Sequence, residues 1–365
     1  MNAQNPSAVQ KPQAAMIADC DIHPIWNKPK DLYPYLSRRW QEHIETFGLS
    51  HRHGWQTGTP YPKGNASGYR NDAWPEDGGK PGSDFNLLKR DLLDANNIEL
   101  GILNATGANG QGFQNLECAA AYCTAVNDWL IEEWTAKDPR LKASIIVSYE
   151  DAPAAVAEIE RRAGDERFAQ VMLLSRTAEP LGRRRYWPIY EAAERHGLPI
   201  GIHAFGFGGY PITGGGWPSY YIEEMVGHSP ACQALLTSLI VEGVFARFPK
   251  LRVVLIEAGF AWLPALGWRL DKLWKTLKAE TPALTRKPSE YIRDHIWITS
   301  QPMEEPQPRE QLLDTMDWIG WDRLLFATDY PHWDYDDPAH SLALRISDEN
   351  RRNFFRNNAR EVYGR

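Results

Sequence analysis

Eight short apolar segments recur along this chain of 365 residues, and stretches with helical periodicity lie between them. The segments are almost continuous in valine, isoleucine and leucine, and they do not alternate with polar residues. This composition is typical of strands in a parallel sheet that is covered on both faces. The eight segments span residues 17–23, 98–105, 143–148, 168–175, 199–204, 251–257, 296–301 and 324–329.

Eight strands that alternate with helices predict an α/β fold, specifically a TIM-like (β/α)8 barrel, because eight is the number of strands that closes such a barrel. The alternative is an open doubly wound sheet, but no GxGxxG motif follows the first strand. A barrel of this kind accommodates the whole length as one domain. We therefore predict a flexible tail over residues 1–15 and a single domain over residues 16–365.

One long segment, at about residues 47–84, interrupts the alternation and is rich in Gly, Pro, Asn and Asp. Loops of this length inside compact domains are usually functional or disordered. The segment contains Trp55, Arg70 and Trp74, and disordered linkers are poor in such aromatic residues. We predict an ordered insertion after the first strand that covers the barrel mouth. Its rings suit a flat substrate, and Arg70 is a candidate partner for a substrate carboxylate.

Bulk composition excludes several classes of partner. The formal net charge is -7, which argues against nucleic-acid binding, and no apolar stretch is long enough to span a membrane. The four cysteines form no CxxC pair and the N-terminus has no signal-peptide pattern, so we expect a cytoplasmic protein with a small-molecule substrate. Fifteen tryptophans favour a homo- or hetero-oligomer.

Polar residues end several of the apolar segments. The first ends in Asp21 and His23, the fifth in His203, the sixth in Glu257 and the eighth in Asp329. Each residue alone is compatible with a structural role, such as a buried histidine or a helix cap. Active sites of these barrels lie at the carboxyl ends of the strands, so all five side chains are expected at one mouth. A single divalent cation would balance the buried charge of Asp21, Asp329 and Glu257 together.

Two further histidines leave alternatives open. His332 follows Asp329 by three residues, and it is either a contact of the metal ligands, an acid/base, a ligand to a second metal or a surface-loop residue. His228 follows a glycine-rich loop, which indicates a residue at a helix start. Because that loop follows the fifth strand, His228 is also expected near the mouth, where it is a candidate substrate contact.

These motifs resemble a known family. The DIH after the first strand, His203, the LIEAGFAWLPALGWRLD segment and the ATDYPHWD segment resemble amidohydrolase-related proteins, in particular the group of aminocarboxymuconate semialdehyde decarboxylase. The resemblance runs from about residue 17 to the C-terminus and implies a metal-dependent (β/α)8 barrel. Carried over position by position, it implies that Asp21, His23, His203 and Asp329 are the metal ligands.

The chain departs from that family pattern at two positions. Many members have His-x-His where this chain has Asp21-Ile22-His23, and the extra carboxylate shifts the expected metal from Zn towards Mn or Fe. The decarboxylases usually have a histidine, proposed as an acid/base, where this chain has Glu257. The resemblance implies a decarboxylase or hydrolase of a small carboxylated, cyclic or aromatic substrate. From their positions at the predicted mouth, Asp329, Glu257 and His332 are the candidate catalytic residues.

Two other functions remain as alternatives. A dinuclear Fe or Mn oxygenase would use Glu257 and His332, with Asp19 or His228, to hold a second metal. A catalytically silent subunit of a hetero-oligomer would explain why the histidine after the sixth strand is absent.

Overall fold

The computed structural model of the protein describes residues 16–49, 68–106, 110–206 and 211–364. Eight parallel strands form one sheet in chain order, each paired with the next. The strands are β1 (Ile17–Ile22), β2 (Ile98–Leu103), β3 (Leu141–Ile146), β4 (Phe168–Arg176), β5 (Ile200–Gly206), β6 (Val253–Ile256), β7 (Ile296–Thr299) and β8 (Leu324–Leu325).

Helices connect the strands, as a parallel sheet requires. They are α1 (Arg38–Phe47), α2 (Phe85–Leu88), α3 (Leu116–Leu130), α4 (Ala152–Arg162), α5 (Trp187–Arg195), α6 (Tyr221–Val241), α7 (Val244–Arg247), α8 (Leu263–Leu277), α9 (Pro288–His295), α10 (Leu312–Ile319), α11 (Asp348–Arg352) and α12 (Asn358–Tyr363). Among the described residues, no helix combines the length and apolar character needed to cross a membrane.

Backbone hydrogen bonds between β1 and the chain that follows β8 close the barrel. The Cys20 N–H donates to the Phe326 carbonyl at 3.0 Å, and the Asp329 N–H donates to the Asp21 carbonyl at 3.1 Å. Beyond β1, the His23 N–H donates to the Tyr330 carbonyl at 2.8 Å. The chain beyond β8 therefore continues alongside β1. The predicted (β/α)8 barrel is confirmed, with all eight strands at the predicted segments.

The helical periodicity of the sequence predicts helices over residues 230–248 and 338–363, and both predicted starts are wrong. The helix after the fifth strand was expected to begin at Pro230, but α6 begins at Tyr221 because the Glu223 carboxylate accepts hydrogen bonds from the N–H groups of Ser219 and Tyr220. The last helical segment was expected to start at Pro338. It starts at residue 348, where the Ser347 hydroxyl accepts the Asn350 N–H at 3.1 Å.

The predicted insertion is described only in part, because residues 50–67 lie outside the described residues, as does the predicted N-terminal tail. The described portion packs against the chain that follows β8. The Arg70 N–H donates to the Pro331 carbonyl and the Trp333 N–H donates to the Gly68 carbonyl, each at 3.0 Å. The ring of Tyr69 stacks on that of His332 with centroids 5.6 Å apart. This portion therefore lies beside the residues that end the eighth strand.

Gly201 in β5 accommodates a polar side chain of the neighbouring strand. A Cβ at this position would lie 2.5 Å from Oε1 of Gln170. Gln170 is fully buried and its amide group donates to both Ser144 and Asn104, so it has no free space into which to move. The small residue is therefore a packing requirement of the barrel interior.

We predict that Gly201→Ala lowers the free energy of unfolding by about 1–3 kcal/mol, because an added methyl group overpacks the interior. Denaturant unfolding measures the change. Gly164→Ala is the matched control, since nothing lies within 4 Å of the added Cβ there, and its effect should stay within about 1 kcal/mol. Equal destabilisation by the two variants would contradict this account of Gly201.

Candidate metal centre

Asp21 and His23 bring a carboxylate and an imidazole from β1 to the carboxyl end of the barrel. Asp21 is fully buried and His23 is 5% exposed. Nε2 of His23 lies 3.0 Å from Oδ1 of Asp21, and Nδ1 of His23 lies 2.8 Å from the carbonyl oxygen of Asn104. The spacing of two residues along a strand places both side chains towards the same space, as expected from the sequence.

His203, in β5, approaches the same space from across the barrel. Its Nε2 lies 3.3 Å from Oδ2 of Asp21 and 3.4 Å from Oε2 of Glu257, which follows β6. The His203 ring meets the His23 ring edge-on, with centroids 5.0 Å apart. Side chains from β1, β5 and the end of β6 therefore meet at one point.

Asp329 completes the cluster from the end of the eighth strand. Its Oδ1 lies 2.9 Å from Nε2 of His23 and 2.6 Å from Nδ1 of His332. Its Oδ2 accepts a hydrogen bond of 3.2 Å from the side-chain amide of Gln301, which follows β7. The backbone hydrogen bond that joins Asp329 to Asp21 holds this residue beside β1.

Three residues at these strand ends have a backbone conformation that is rare for residues with a side chain. Phe205, Glu257 and Asp329 have φ angles of 83°, 55° and 62°. Such residues cost about 1–3 kcal/mol each and are concentrated at functional sites. The left-handed turns occur where the chain leaves β5, β6 and β8, so the strained positions coincide with the cluster.

Four buried ligand-type atoms of the cluster have no hydrogen-bond partner. They are Oδ2 of Asp21, Nε2 of His23, Nε2 of His203 and Oε2 of Glu257. Their short contacts with one another lie outside hydrogen-bonding geometry, and a buried polar atom without a partner costs about 1–3 kcal/mol. Carboxylate oxygens and imidazole nitrogens are donors that divalent transition metals accept. The residues therefore fit a divalent metal ion.

Three overlapping groups in this cluster could each hold a metal ion, with ligand atoms no more than 4.8 Å apart. Each group shares at least one residue with another, so among the described residues they form one continuous centre. The groups are Asp21, His23 and His203; His23, Asp329 and His332; and Asp21, Glu257 and Asp329.

The charges in the cluster shift one another's pKa values in opposite directions. Burial alone would lower the pKa of His23, but the Asp21 and Asp329 carboxylates outweigh it and raise that pKa well above its ordinary value. Burial alone would raise the pKa of Asp21, but His23 and His203 hold it well below its ordinary value. Burial, followed by Asp329, raises the pKa of Glu257 well above its ordinary value. The negative charge of the neighbouring carboxylates thus favours a proton on His23, a positive charge that a cation would otherwise supply.

The substrate contacts predicted in the insertion are Trp55, Arg70 and Trp74. Trp55 lies outside the described residues. Arg70 has another partner, because its guanidinium donates to both carboxylate oxygens of Asp72, at 2.8 and 2.6 Å, and lies 4.0 Å over the ring of Tyr335. Trp74 is 43% exposed, and its ring meets that of Tyr69 at 6.2 Å.

His228 does not lie at a helix start, because α6 begins earlier than expected. It is buried in the body of α6, with its ring 4.4 Å from that of Phe205, and neither ring nitrogen has a hydrogen-bond partner. Burial, with help from Arg176, lowers its pKa to about 3. His228 is therefore a neutral imidazole.

Asp19 is not available as a ligand of a second metal. Its Oδ1 accepts the Thr328 N–H at 2.9 Å and the Asp21 N–H at 3.2 Å, and its Oδ2 accepts the Thr328 hydroxyl at 2.5 Å. These bonds join β1 to the end of the eighth strand. Asp19 therefore has a structural role.

Two amide residues next to the cluster were given no role in the sequence analysis. Asn104 donates to Oδ1 of Asp21 at 2.8 Å, and Gln301 donates to Oδ2 of Asp329. Both lie at the carboxyl ends of predicted apolar segments, as the ligand-type residues do. At the ends of the apolar segments, amide residues as well as ionisable residues therefore mark the site.

Comparison with known proteins identifies the family of this chain. The family model for amidohydrolases matches residues 18–365. Over 291 residues the chain is 26% identical to a gamma-resorcylate decarboxylase from Rhizobium sp., covering 74% of this chain and 85% of that protein.

Solved structures share the fold. An amidohydrolase from Mycobacterium avium subsp. paratuberculosis is 22% identical with a TM-score of 0.73, over 95% of this chain and 99% of that one. A 5-carboxyvanillate decarboxylase from Novosphingobium aromaticivorans, solved with manganese and 4-hydroxy-3-methoxy-5-nitrobenzoic acid, is 18% identical with a TM-score of 0.69, over 95% and 96% of the two chains.

These relatives agree with the barrel and with the amidohydrolase class of enzyme predicted from the strand-end motifs. The match extends over nearly the whole described chain, from β1 to the last helix. The chain belongs to the amidohydrolase family.

Proposed function

We propose that the protein is a metal-dependent decarboxylase of a small hydroxylated aromatic carboxylate. The observation that carries the proposal is the set of four buried, unpaired ligand-type atoms at the mouth of the barrel. The relatives supply the substrate class, since they are decarboxylases of gamma-resorcylate and of 5-carboxyvanillate. Hydrolysis of a related substrate is the second reaction compatible with the same ligands.

In this proposal Asp21, His23, His203 and Asp329 hold the metal. When bound, the metal supplies positive charge that attracts and polarises oxygen atoms of the substrate. Asp21 contributes a carboxylate where many relatives have histidine, which favours Mn or Fe over Zn. The manganese in the 5-carboxyvanillate decarboxylase structure supports this preference.

Glu257 is the proposed proton donor. Its burial favours the neutral carboxylic acid, and its Oε2 lies beside His203 without a hydrogen-bond partner. The acid gives its proton to the ring carbon that bears the substrate carboxylate. The carbon–carbon bond to that carboxylate then breaks, its electron pair returns to the ring, and carbon dioxide leaves. Water restores the proton to Glu257.

His332 and Asp329 form the proposed route by which protons reach the cluster. Nδ1 of His332 lies 2.6 Å from Oδ1 of Asp329, and the His332 side chain is 23% exposed, whereas Asp329 is fully buried. His332 therefore connects the buried carboxylate to the surface. In the hydrolytic alternative, Asp329 would take the proton of the attacking water.

His228 is the proposed contact for a substrate hydroxyl group. A buried neutral imidazole with two unpaired nitrogens can donate one hydrogen bond and accept another. Trp74 and Trp55 stay in the proposal as aromatic contacts. Arg70 would have to leave Asp72 before it could bind a substrate carboxylate, so we give it a minor part.

Oligomerisation and a cytoplasmic location also remain proposals. Trp217, Tyr220, Ile222 and Val226 are each more than half exposed and lie close together in sequence, and such apolar surface favours a protein partner. All four cysteines are buried and free, which suits a reducing compartment.

We predict that His203→Ala lowers metal affinity by more than about 100-fold, because the loss of a ligand exceeds the effect of losing a supporting contact. Metal per chain, counted by mass spectrometry on protein purified without chelator, measures it. His295→Ala is the matched control, and this variant should keep its metal. His295 is a buried histidine at the end of α9, before β7 begins, and its Nδ1 lies 2.8 Å from the Leu251 carbonyl oxygen. Unchanged metal content in His203→Ala would refute the ligand assignment, and two ions per wild-type chain would favour the dinuclear alternative.

Glu257→Gln is expected to keep the metal and lose about 100- to 10,000-fold in the rate of carbon dioxide release, since an amide cannot donate the proton. Glu150→Gln is the control, a buried glutamate that accepts the Ala178 N–H and should leave the rate unchanged. A fall in metal content together with the rate would instead make Glu257 a ligand, contrary to the proposal.

His228→Phe is expected to lower kcat/KM about 10-fold, the value of one neutral hydrogen bond, while metal content stays at the wild-type level. Stability should not fall, because the variant removes two buried polar atoms that have no partner. Steady-state kinetics and thermal unfolding measure the two effects. Wild-type kinetics in this variant would remove His228 from the substrate site.

A further inference from the structure

Asn104 touches both ligand-type residues of β1. It is the first residue after β2 and is fully buried. Its side-chain amide donates to Oδ1 of Asp21 at 2.8 Å and to the Cys20 carbonyl at 3.2 Å. Its own carbonyl oxygen lies 2.8 Å from Nδ1 of His23. One residue thus contacts two candidate metal ligands by different atoms.

The contact with His23 selects which ring nitrogen faces the cluster. A carbonyl oxygen only accepts hydrogen bonds, so Nδ1 of His23 carries a proton and donates to Asn104. The lone pair of the neutral ring is then on Nε2, the atom that lies 2.9 Å from Asp329 and 3.0 Å from Asp21. This arrangement is typical of histidines that bind metals through Nε2.

The contact with Asp21 determines which carboxylate oxygen is left for a metal. Oδ1 accepts the Asn104 amide, whereas Oδ2 is buried, has no hydrogen-bond partner and lies 3.3 Å from Nε2 of His203. With Oδ1 held from the side of β2, the carboxylate cannot rotate without breaking that bond. Oδ2 therefore stays directed at the centre of the cluster.

A buried polar network fixes the orientation of the Asn104 amide. Oδ1 of Asn104 accepts the Ser144 hydroxyl at 2.5 Å and the Gln170 amide at 3.2 Å. The Gln170 amide also donates to the Ser144 oxygen at 2.9 Å. A reversed Asn104 amide would set donor against donor at Gln170 and acceptor against acceptor at Asp21. The network across β3 and β4 therefore allows one orientation.

We infer that Asn104 is a positioning residue of the metal centre, one that sets the tautomer of His23 and the aim of Asp21 without binding the metal itself. The inference rests on the proposed function, in that it takes both residues as ligands. Ser144 and Gln170, which hydrogen-bond to the Asn104 side chain, then also support the centre.

The test is the affinity of the full-length chain for Mn²⁺, measured by competition with a chelator. Asn104→Ala removes the amide that holds Asp21 and keeps the main-chain carbonyl that His23 contacts, and it should weaken Mn²⁺ binding by about 10- to 100-fold, as expected for a contact that orients a ligand. Asn127→Ala is the matched control. Asn127 is equally buried and makes three hydrogen bonds, at 2.8, 2.9 and 2.9 Å, with Ile146 and Glu158 on the outer side of the barrel.

Thermal unfolding with and without Mn²⁺ separates positioning from general packing. A ligand that binds only the folded state stabilises it by an amount that grows with the logarithm of the ligand's affinity. Asn127→Ala should lower the midpoint equally with and without Mn²⁺. Asn104→Ala should also lose part of the increase that Mn²⁺ gives the wild type. Wild-type Mn²⁺ affinity in Asn104→Ala, or the same loss in both variants, would overturn the inference.

Ser144→Ala keeps the inference testable if Asn104→Ala does not fold. It removes one donor to the Asn104 amide and should weaken Mn²⁺ binding several-fold, whereas unchanged affinity would overturn the inference. His203→Ala distinguishes this failure from that of the proposed function. If His203→Ala loses the metal and the Asn104 and Ser144 variants keep it, only the positioning role fails. If His203→Ala also keeps it, the ligand set itself is wrong.

Discussion

Buried charge at the carboxyl end of the barrel is the constraint on which the rest of this site depends. Asp21, Glu257 and Asp329 are each at most 2% exposed, and an isolated buried carboxylate is unstable unless it is paired, protonated or bound to a cation. His23 and His203 lie among the three carboxylates, with their Nε2 atoms 2.9 to 3.4 Å from carboxylate oxygens. What remains is unpaired oxygen and nitrogen atoms facing one another, an arrangement that a divalent cation stabilises.

Closure of the barrel and assembly of the centre depend on the same hydrogen bonds. The bonds that join β1 to the end of the eighth strand hold Asp329 beside Asp21, although the two residues are nearly a whole chain apart. Asp19 strengthens this junction through Thr328. The ligand-type residue that follows the last strand can therefore reach those of the first only in a closed barrel, so the fold and the site form together.

Ionisable residues at the ends of the apolar segments predicted more of the site than the periodicity of the helices did. Apolar segments located all eight strands, and the ionisable residues that end them form the cluster. This pattern did not predict the roles of Asn104 and Gln301. Their amides carry no charge, so they do not indicate buried charge that a cation would have to balance. Helix starts were less predictable, since the hydrogen bonds of Glu223 overrode the signal of Pro230. Because the start of α6 was predicted too late in the chain, His228 was predicted at a helix start and not within the helix.

The sequence by itself determined the barrel, the family and the ligand-type residues, because strand composition and strand-end chemistry are local properties that can be read in short segments. Only the tertiary structure decided which of these residues meet, that Arg70 is paired with Asp72, and that His228 is a buried neutral imidazole. Those outcomes depend on distances between segments remote in sequence and on the exclusion of water, and neither is encoded in a single segment. The cluster of ligand-type residues is therefore predicted by residue type, and the tertiary structure shows the contacts within it.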